Sequence, residues 1–288
     1  MELSDSVIDH KFYSYILFTV PKNGEPEYRK FYVKDAVKKE VNGKEYYVFK
    51  CTVAAKEMTS EINAQLFDTT SGKFGPIYTY SVKDYAKYLL ENAYENDGII
   101  VKNPTFAKAV PLVKRLLSYG SYAQIYFDKN TDNLVSDGLL TSEELNVSSV
   151  TAETINKTDY VEDFSRLPEG KELKFEGATL SLKSQTTLSL YFISNDELTF
   201  ECDAYDVEAV QNENYRVARV RNISSGEAQN DFTVTVKISG DAVGTITYSP
   251  MNYCCNALSK SNNDNLKNVV RAFYLYSEAA KEYFQQLV

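Results

Sequence analysis

Histidine, the side chain most often used to move protons or hold a metal, occurs once, at position 10. A single imidazole leaves histidine triads, two-histidine metal sites and His–Cys dyads without partners. His10 is read as a surface residue. No GxGxxG, P-loop or GxSxG is present. The stretch starting Asp128-Lys-Asn-Thr-Asp-Asn imitates a calcium loop, with oxygen-bearing side chains at its first, third and fifth positions. The sharp-turn glycine is replaced by Asn133 and the bidentate glutamate by Leu139, so the coordination shell stays open. The expectation there is a helix end unwinding into a polar loop. The carboxylate pairs Glu143/Glu144 and Asp203/Asp206 have the composition of glycosidase acid–base pairs. Among 40 acidic residues such pairs arise by chance, and a solvated face is expected instead. The chain is therefore read as a non-enzyme without metal or cofactor.

The four cysteines form neither a zinc spacing nor a Cys-x-x-Cys. Cys51 and Cys202 fall on apolar faces of expected strands, where buried free thiols are the expectation. Cys254-Cys255 could form only a strained vicinal disulfide.

What remains suits grasping rather than turnover. The chain holds 23 Tyr and 15 Phe but no Trp, and tyrosine supplies apolar area with a polar tip at low entropic cost. In the stretch Asn214 to Arg221, strand alternation sends Tyr215, Val217, Arg219 and Arg221 to one side. The opposite register, Arg216 and Ala218, is poor core material, so this strand is expected at a sheet edge or partly uncovered. Tyr and Arg on an exposed strand of an acidic protein have the composition of a binding hot spot. With Tyr191 and Tyr205 these four make up the candidate protein-binding site. An edge there could also accept a partner strand. The competing reading pairs the arginines with Glu201, Asp203 and Glu208 across strands.

The elements that must position this face occur twice. Tyr78-Thr-Tyr-Ser-Val-Lys-Asp-Tyr-Ala-Lys-Tyr-Leu-Leu90 parallels Ile246-Thr-Tyr-Ser-Pro-Met-Asn-Tyr-Cys-Cys-Asn-Ala-Leu258. Each reads as a strand, a serine cap (Ser81, Ser249) and an amphipathic helix. Upstream, Glu45–Cys51 parallels Asn214–Val220, and Tyr13–Phe18 parallels Leu188–Ile193. Downstream, Leu112–Phe127 parallels Val269–Phe284, with Val113, Tyr119, Ala123, Tyr126 and Phe127 in register. The order of elements is kept while the spacing drifts, as loop insertions would produce. The fold class expected is α+β: a tandem duplication of a mostly antiparallel, sandwich-like β-sheet unit followed by a helical hairpin. Residues 1–140 form the first module, 141–165 a linker that packs or swings, and 166–288 the second module. The first copy has no counterpart to Ala178-Thr-Leu-Ser-Leu182, as if cut from a larger multi-module protein.

A chain of 288 residues, 43% of them hydrophobic, can bury a substantial core. Its net charge of −9 disfavours a nucleic-acid surface and an anionic membrane alike. No apolar run is long enough to span a bilayer, and Met1-Glu-Leu-Ser-Asp-Ser is not a signal peptide.

Tyr46–Met58, Tyr78–Tyr88, Leu116–Leu134, Gly177–Lys183 and Asn265–Tyr276 resemble modules repeated in large cell-surface proteins of gut-dwelling Firmicutes. The chain is similar in this to the immunoglobulin-binding, superantigen-like proteins of commensal gut bacteria. The resemblance implies an extracellular or cell-surface location. Its implied partner is the heavy-chain variable domain of an antibody Fab, gripped on framework residues by a monomeric fragment without membrane insertion. It carries no binding residue onto this sequence. The alternative is a glycan-binding module, with tyrosines as stacking platforms, or a purely structural adhesion module.

Overall fold

The computed structural model describes residues 2–4, 13–22, 25–95, 100–182, 186–212 and 214–286. His10 lies outside the described residues, as do positions 23 and 24 of the expected turn at Pro21–Gly24. The architecture is α+β.

The first copy runs β1 (Glu2–Ser4), β2 (Tyr15–Lys22), β3 (Glu25–Tyr32), β4 (Val37–Val41), β5 (Lys44–Val48), β6 (Ile62–Asp68) and β7 (Lys73–Tyr80). It continues with α1 (Val82–Ala93), the short pair β8 (Tyr94–Glu95) and β9 (Ile100–Val101), and α2 (Pro104–Tyr126). Sheets β3-β2-β6-β7 and β1-β5-β4 face each other across Ile16, Phe18, Val20, Tyr47, Phe49, Ile62 and Ala64. Ile16, Phe18 and Val20 of β2 are buried while Tyr15, Leu17 and Thr19 are not, as period-2 side-chain alternation requires. The turn joining β4 to β5 is Asn42-Gly43, both at positive φ, the conformation that matches a two-residue hairpin to strand twist.

The connection itself carries α3 (Ser142–Leu145), α4 (Ala152–Ile155) and β10 (Val161–Asp163). The second copy is β11 (Lys174–Leu182), β12 (Thr186–Ile193), β13 (Leu198–Cys202), β14 (Val207–Gln211), β15 (Arg216–Ile223), β16 (Phe232–Ile238), β17 (Asp241–Tyr248), α5 (Pro250–Lys260) and α6 (Asp264–Gln285). Its sheets are β11-β12-β15-β14 and β10-β17-β16-β13. Both serine caps form: Ser81 Oγ accepts from the Asp84 amide at 3.0 Å and Ser249 Oγ from the Asn252 amide at 3.3 Å. Pro250 takes the first helical position, where a missing N–H costs nothing.

Strand pairing corrects one of the sequence matches. Strand β2 pairs with β6, and it is β13, not β12, that pairs with β16. Leu17 opposite Gln65 therefore corresponds to Glu201 opposite Thr235, and the expected match of Tyr13–Phe18 to Leu188–Ile193 falls one strand too early. Both stretches read as apolar alternation, which any sandwich strand satisfies.

The cores divide differently from the chain. The first sandwich keeps its own cluster. Ala86 and Leu89 of α1 and Val113, Leu117, Tyr119 and Ala123 of α2 join the large core of the second copy. The connection packs rather than swings. Val147, Val150 and Ile155 are buried in that core, Asn252 Nδ2 donates to the carbonyls of Lys157 (3.0 Å) and Asp159 (2.6 Å), and Arg271 Nε donates to the Val150 carbonyl at 3.0 Å.

Candidate protein-binding surface

The outward side of sheet β11-β12-β15-β14 gathers five of the six candidate residues. Tyr191 lies between Gly177 of β11 and Val217 of β15 in the ladder. Its ring meets Tyr215 edge to face, 5.6 Å between centroids at 86°, and its hydroxyl shares a hydrogen bond with Thr179 Oγ1 at 3.2 Å. Val217 is 2% exposed, placed between Tyr191 and Val210. It is the floor of the face and not a contact residue.

Arg219 stands between Ser189 and Glu208. Its Nη1 is 3.6 Å from the Glu208 carboxylate, and Arg221 Nη2 bonds the same oxygen. Cross-strand pairing thus occurs, with Glu208 as the partner, while Glu201 pairs instead with Lys237. One carboxylate against two guanidiniums leaves a net positive charge on the face. Exposed pairs of this kind hold little energy, about 0–1 kcal/mol, so a partner's carboxylate could replace Glu208 at small cost.

Two expectations are corrected. Strand β15 is interior, between β12 and β14, so strand addition is open at β11 or β14 and not at β15. Arg216 survives in the inward register because its Nε donates to the Asp196 carbonyl at 3.0 Å, at the end of the ladder. Tyr205 is not on the face: it packs perpendicular to Phe232 at 4.9 Å. Burial, then a hydrogen bond to Glu227, pushes its hydroxyl pKa up.

The remaining polar motifs have structural partners. In the calcium-like loop, Lys83 Nζ donates to Asn133 Oδ1 (3.0 Å) and the Leu134 carbonyl (2.7 Å), so an ammonium occupies part of the oxygen cage. Glu144 caps α3 through the Thr141 amide and bonds Lys114, which holds its carboxyl below the usual range. Asp203 and Asp206 are exposed. Among the described residues no group of three or more His, Cys, Asp or Glu could hold a metal, and no helix is long and apolar enough to cross a membrane. All four cysteines are free. Cys255 Sγ accepts from the Lys157 amide and donates to the Ala152 carbonyl, both at 3.3 Å, and burial raises the pKa of both Cys254 and Cys255.

A cavity of about 320 Å³ opens between the two copies, lined by corresponding residues such as Val53 and Ile223, and Tyr119 and Tyr276. None of its lining residues is ionised at neutral pH, so it offers no acid–base pair.

Sequence reasoning missed a second aromatic face. On the first sandwich, Tyr32, Tyr15, Phe67 and Phe74 sit opposite one another in the ladders of β3, β2, β6 and β7. Tyr28, Lys30 and Tyr32 at alternate positions signal an outward stripe on β3, but which strands lie beside it is not written locally.

The chain matches no protein-family model, no curated protein and no solved structure.

Proposed function

We propose that the chain is an extracellular, non-enzymatic pair of binding modules. It engages the heavy-chain variable-domain framework of antibodies through the outward face of the second sandwich. The observation that carries this reading is the assembly of Tyr191, Tyr215, Arg219 and Arg221 on one sheet face above a Val217 floor. Tyr and Arg over a dry apolar base are the residues that dominate binding energy at protein interfaces. The resemblance to superantigen-like surface modules supplies the class of partner. The tyrosine pair meets edge to face, which suits an uneven protein surface better than a flat sugar ring.

Surface plasmon resonance against Fabs of different heavy-chain families tests the proposal, with family-dependent binding at micromolar concentration or below as the expected result. Binding to none of them rejects it. Arg219→Glu combined with Tyr215→Ala is expected to weaken binding by about 2 kcal/mol or more. Binding that is present but insensitive to this pair would move the site elsewhere.

A further inference from the structure

The first sandwich carries a surface that its own duplicate lacks. Tyr32, Tyr15, Phe67 and Phe74 form one row across all four strands of the sheet. Tyr15 stacks on Phe67 at 4.9 Å and 23°, and Phe67 meets Phe74 at 4.9 Å. Lys30 Nζ lies 4.1 Å from the Tyr15 ring centre and Lys34 Nζ 5.7 Å from that of Tyr32. Neither ammonium is paired with a carboxylate among the described residues. The two neighbouring rows, Lys30-Leu17-Gln65-Ile77 and Tyr28-Thr19-Asn63-Thr79, add no acid. Tyr28 is 66%, Phe74 47% and Ile77 60% exposed.

The duplication acts as an internal control. The positions of Tyr15, Phe67 and Phe74 are filled by Thr199, Lys237 and Ala242 in the second copy, and Leu17 becomes Glu201. The same three strands therefore fold with a polar outer face, and their aromatic row is not demanded by the architecture. Exposed apolar surface without a structural reason marks a contact surface.

Charge indicates what it contacts. Residues 1–140 hold 18 basic and 18 acidic side chains, whereas residues 141–288 hold 13 and 22, so the whole excess of negative charge lies in the second half. We propose that the aromatic–lysine face of one molecule docks on the acidic second sandwich of another. It would lie against the sheet bearing Asp163 and the Glu201–Lys237 pair, beside Asp203, where three carboxylates face one ammonium, in a head-to-tail association. Four strands at about 4.8 Å and three outward rows at about 6.8 Å give a face on the order of 400 Å². That is about half of the roughly 800 Å² per partner of a stable complex, so the contact is weak and serves crowded or tethered copies. Because the two surfaces differ, the contact is heterologous and open-ended.

Sedimentation equilibrium of the full chain from micromolar to millimolar concentration, at low and high salt, tests this. The expected result is a mass that climbs past the dimer at low salt and falls back with added salt. Phe74→Ser with Tyr32→Ser is expected to weaken association at least tenfold. Lys30→Glu/Lys34→Glu and Asp163→Lys/Asp203→Lys molecules should each self-associate poorly but combine when mixed. A monomer throughout, a mass that stops at dimer, or association unchanged in the Phe74/Tyr32 variant would each overturn the proposal. Circular dichroism of every variant separates lost contact from lost fold.

Discussion

Tyr119 and Tyr276 occupy the same position in the two copies, and their rings lie on one another, 5.6 Å between centroids and within 10° of parallel. Phe273 closes the other approach to Tyr119 at 5.6 Å. Helices α2 and α6 thus meet at equivalent positions, as around a twofold axis. The duplicated unit builds its largest core by packing one copy's helices on the other's. Tyr119 is 6% exposed. Tyr276 is half-buried beside the cavity, so Tyr276→Ala is expected to cost about 2–3 kcal/mol, below the roughly 3–5 kcal/mol for deleting a fully buried aromatic ring. Tyr276→Phe, which keeps the ring but loses the hydroxyl bond to Ser225, should cost about 1 kcal/mol. Urea unfolding of both variants measures the difference.

Gly120, next to Tyr119 in mid-helix, reverses a familiar rule. An exposed helical Gly→Ala change stabilises by about 1 kcal/mol. Here an added Cβ would lie 2.7 Å from Val135 Cγ1 and 2.8 Å from Met58 Sδ. Gly120→Ala is expected to destabilise by about 1–3 kcal/mol through overpacking, read as a lower urea midpoint. A higher midpoint would mean that the loop after α2 yields freely.

Alkaline titration should divide the tyrosines. Burial pushes Tyr248 up to about 12, and it pushes Tyr119 and Tyr276 upward as well. A folded-state pKa above the unfolded value of about 10 gives stability that is complete below pH 10 and lost as pH rises through the folded value. Tyrosinate absorbance from these three rings is therefore expected well above pH 10 or together with unfolding. Tyr248→Phe should flatten the fall in stability between pH 10 and 12, followed by thermal melts.

The small core of the first sandwich makes it the least protected part of the fold. Its cluster holds few fully buried side chains, among them Ile16, Phe18 and Ile62, and is separate from the helices. Local opening follows buried contact density. Hydrogen exchange should therefore be faster at the amides of β2 and β6 than at those of β12 and β16, and equal protection would refute two separate cores.

Much of this was legible in the chain. Ser81, Ser249 and Pro250 set helix starts, Asn42-Gly43 set a hairpin, and Ser142-Glu-Glu-Leu145 set a helical turn, all by local backbone chemistry. The side of β15 to which Tyr215, Val217 and Arg219 point was also legible, because strand alternation is local. Local pattern cannot say which strand lies beside which. For that reason alternation alone matches β2 to β12 instead of β13, cannot tell an edge β15 from an interior strand uncovered on one side, and does not place Tyr205 against Phe232. The aromatic row of Tyr32, Tyr15, Phe67 and Phe74 went unseen for the same cause: its members are far apart in sequence and meet only through hydrogen bonding between strands. Partner choice between strands, and the stacking of Tyr119 on Tyr276, belong to the tertiary structure, because long-range contacts are selected by the packing of whole faces and not by any single segment.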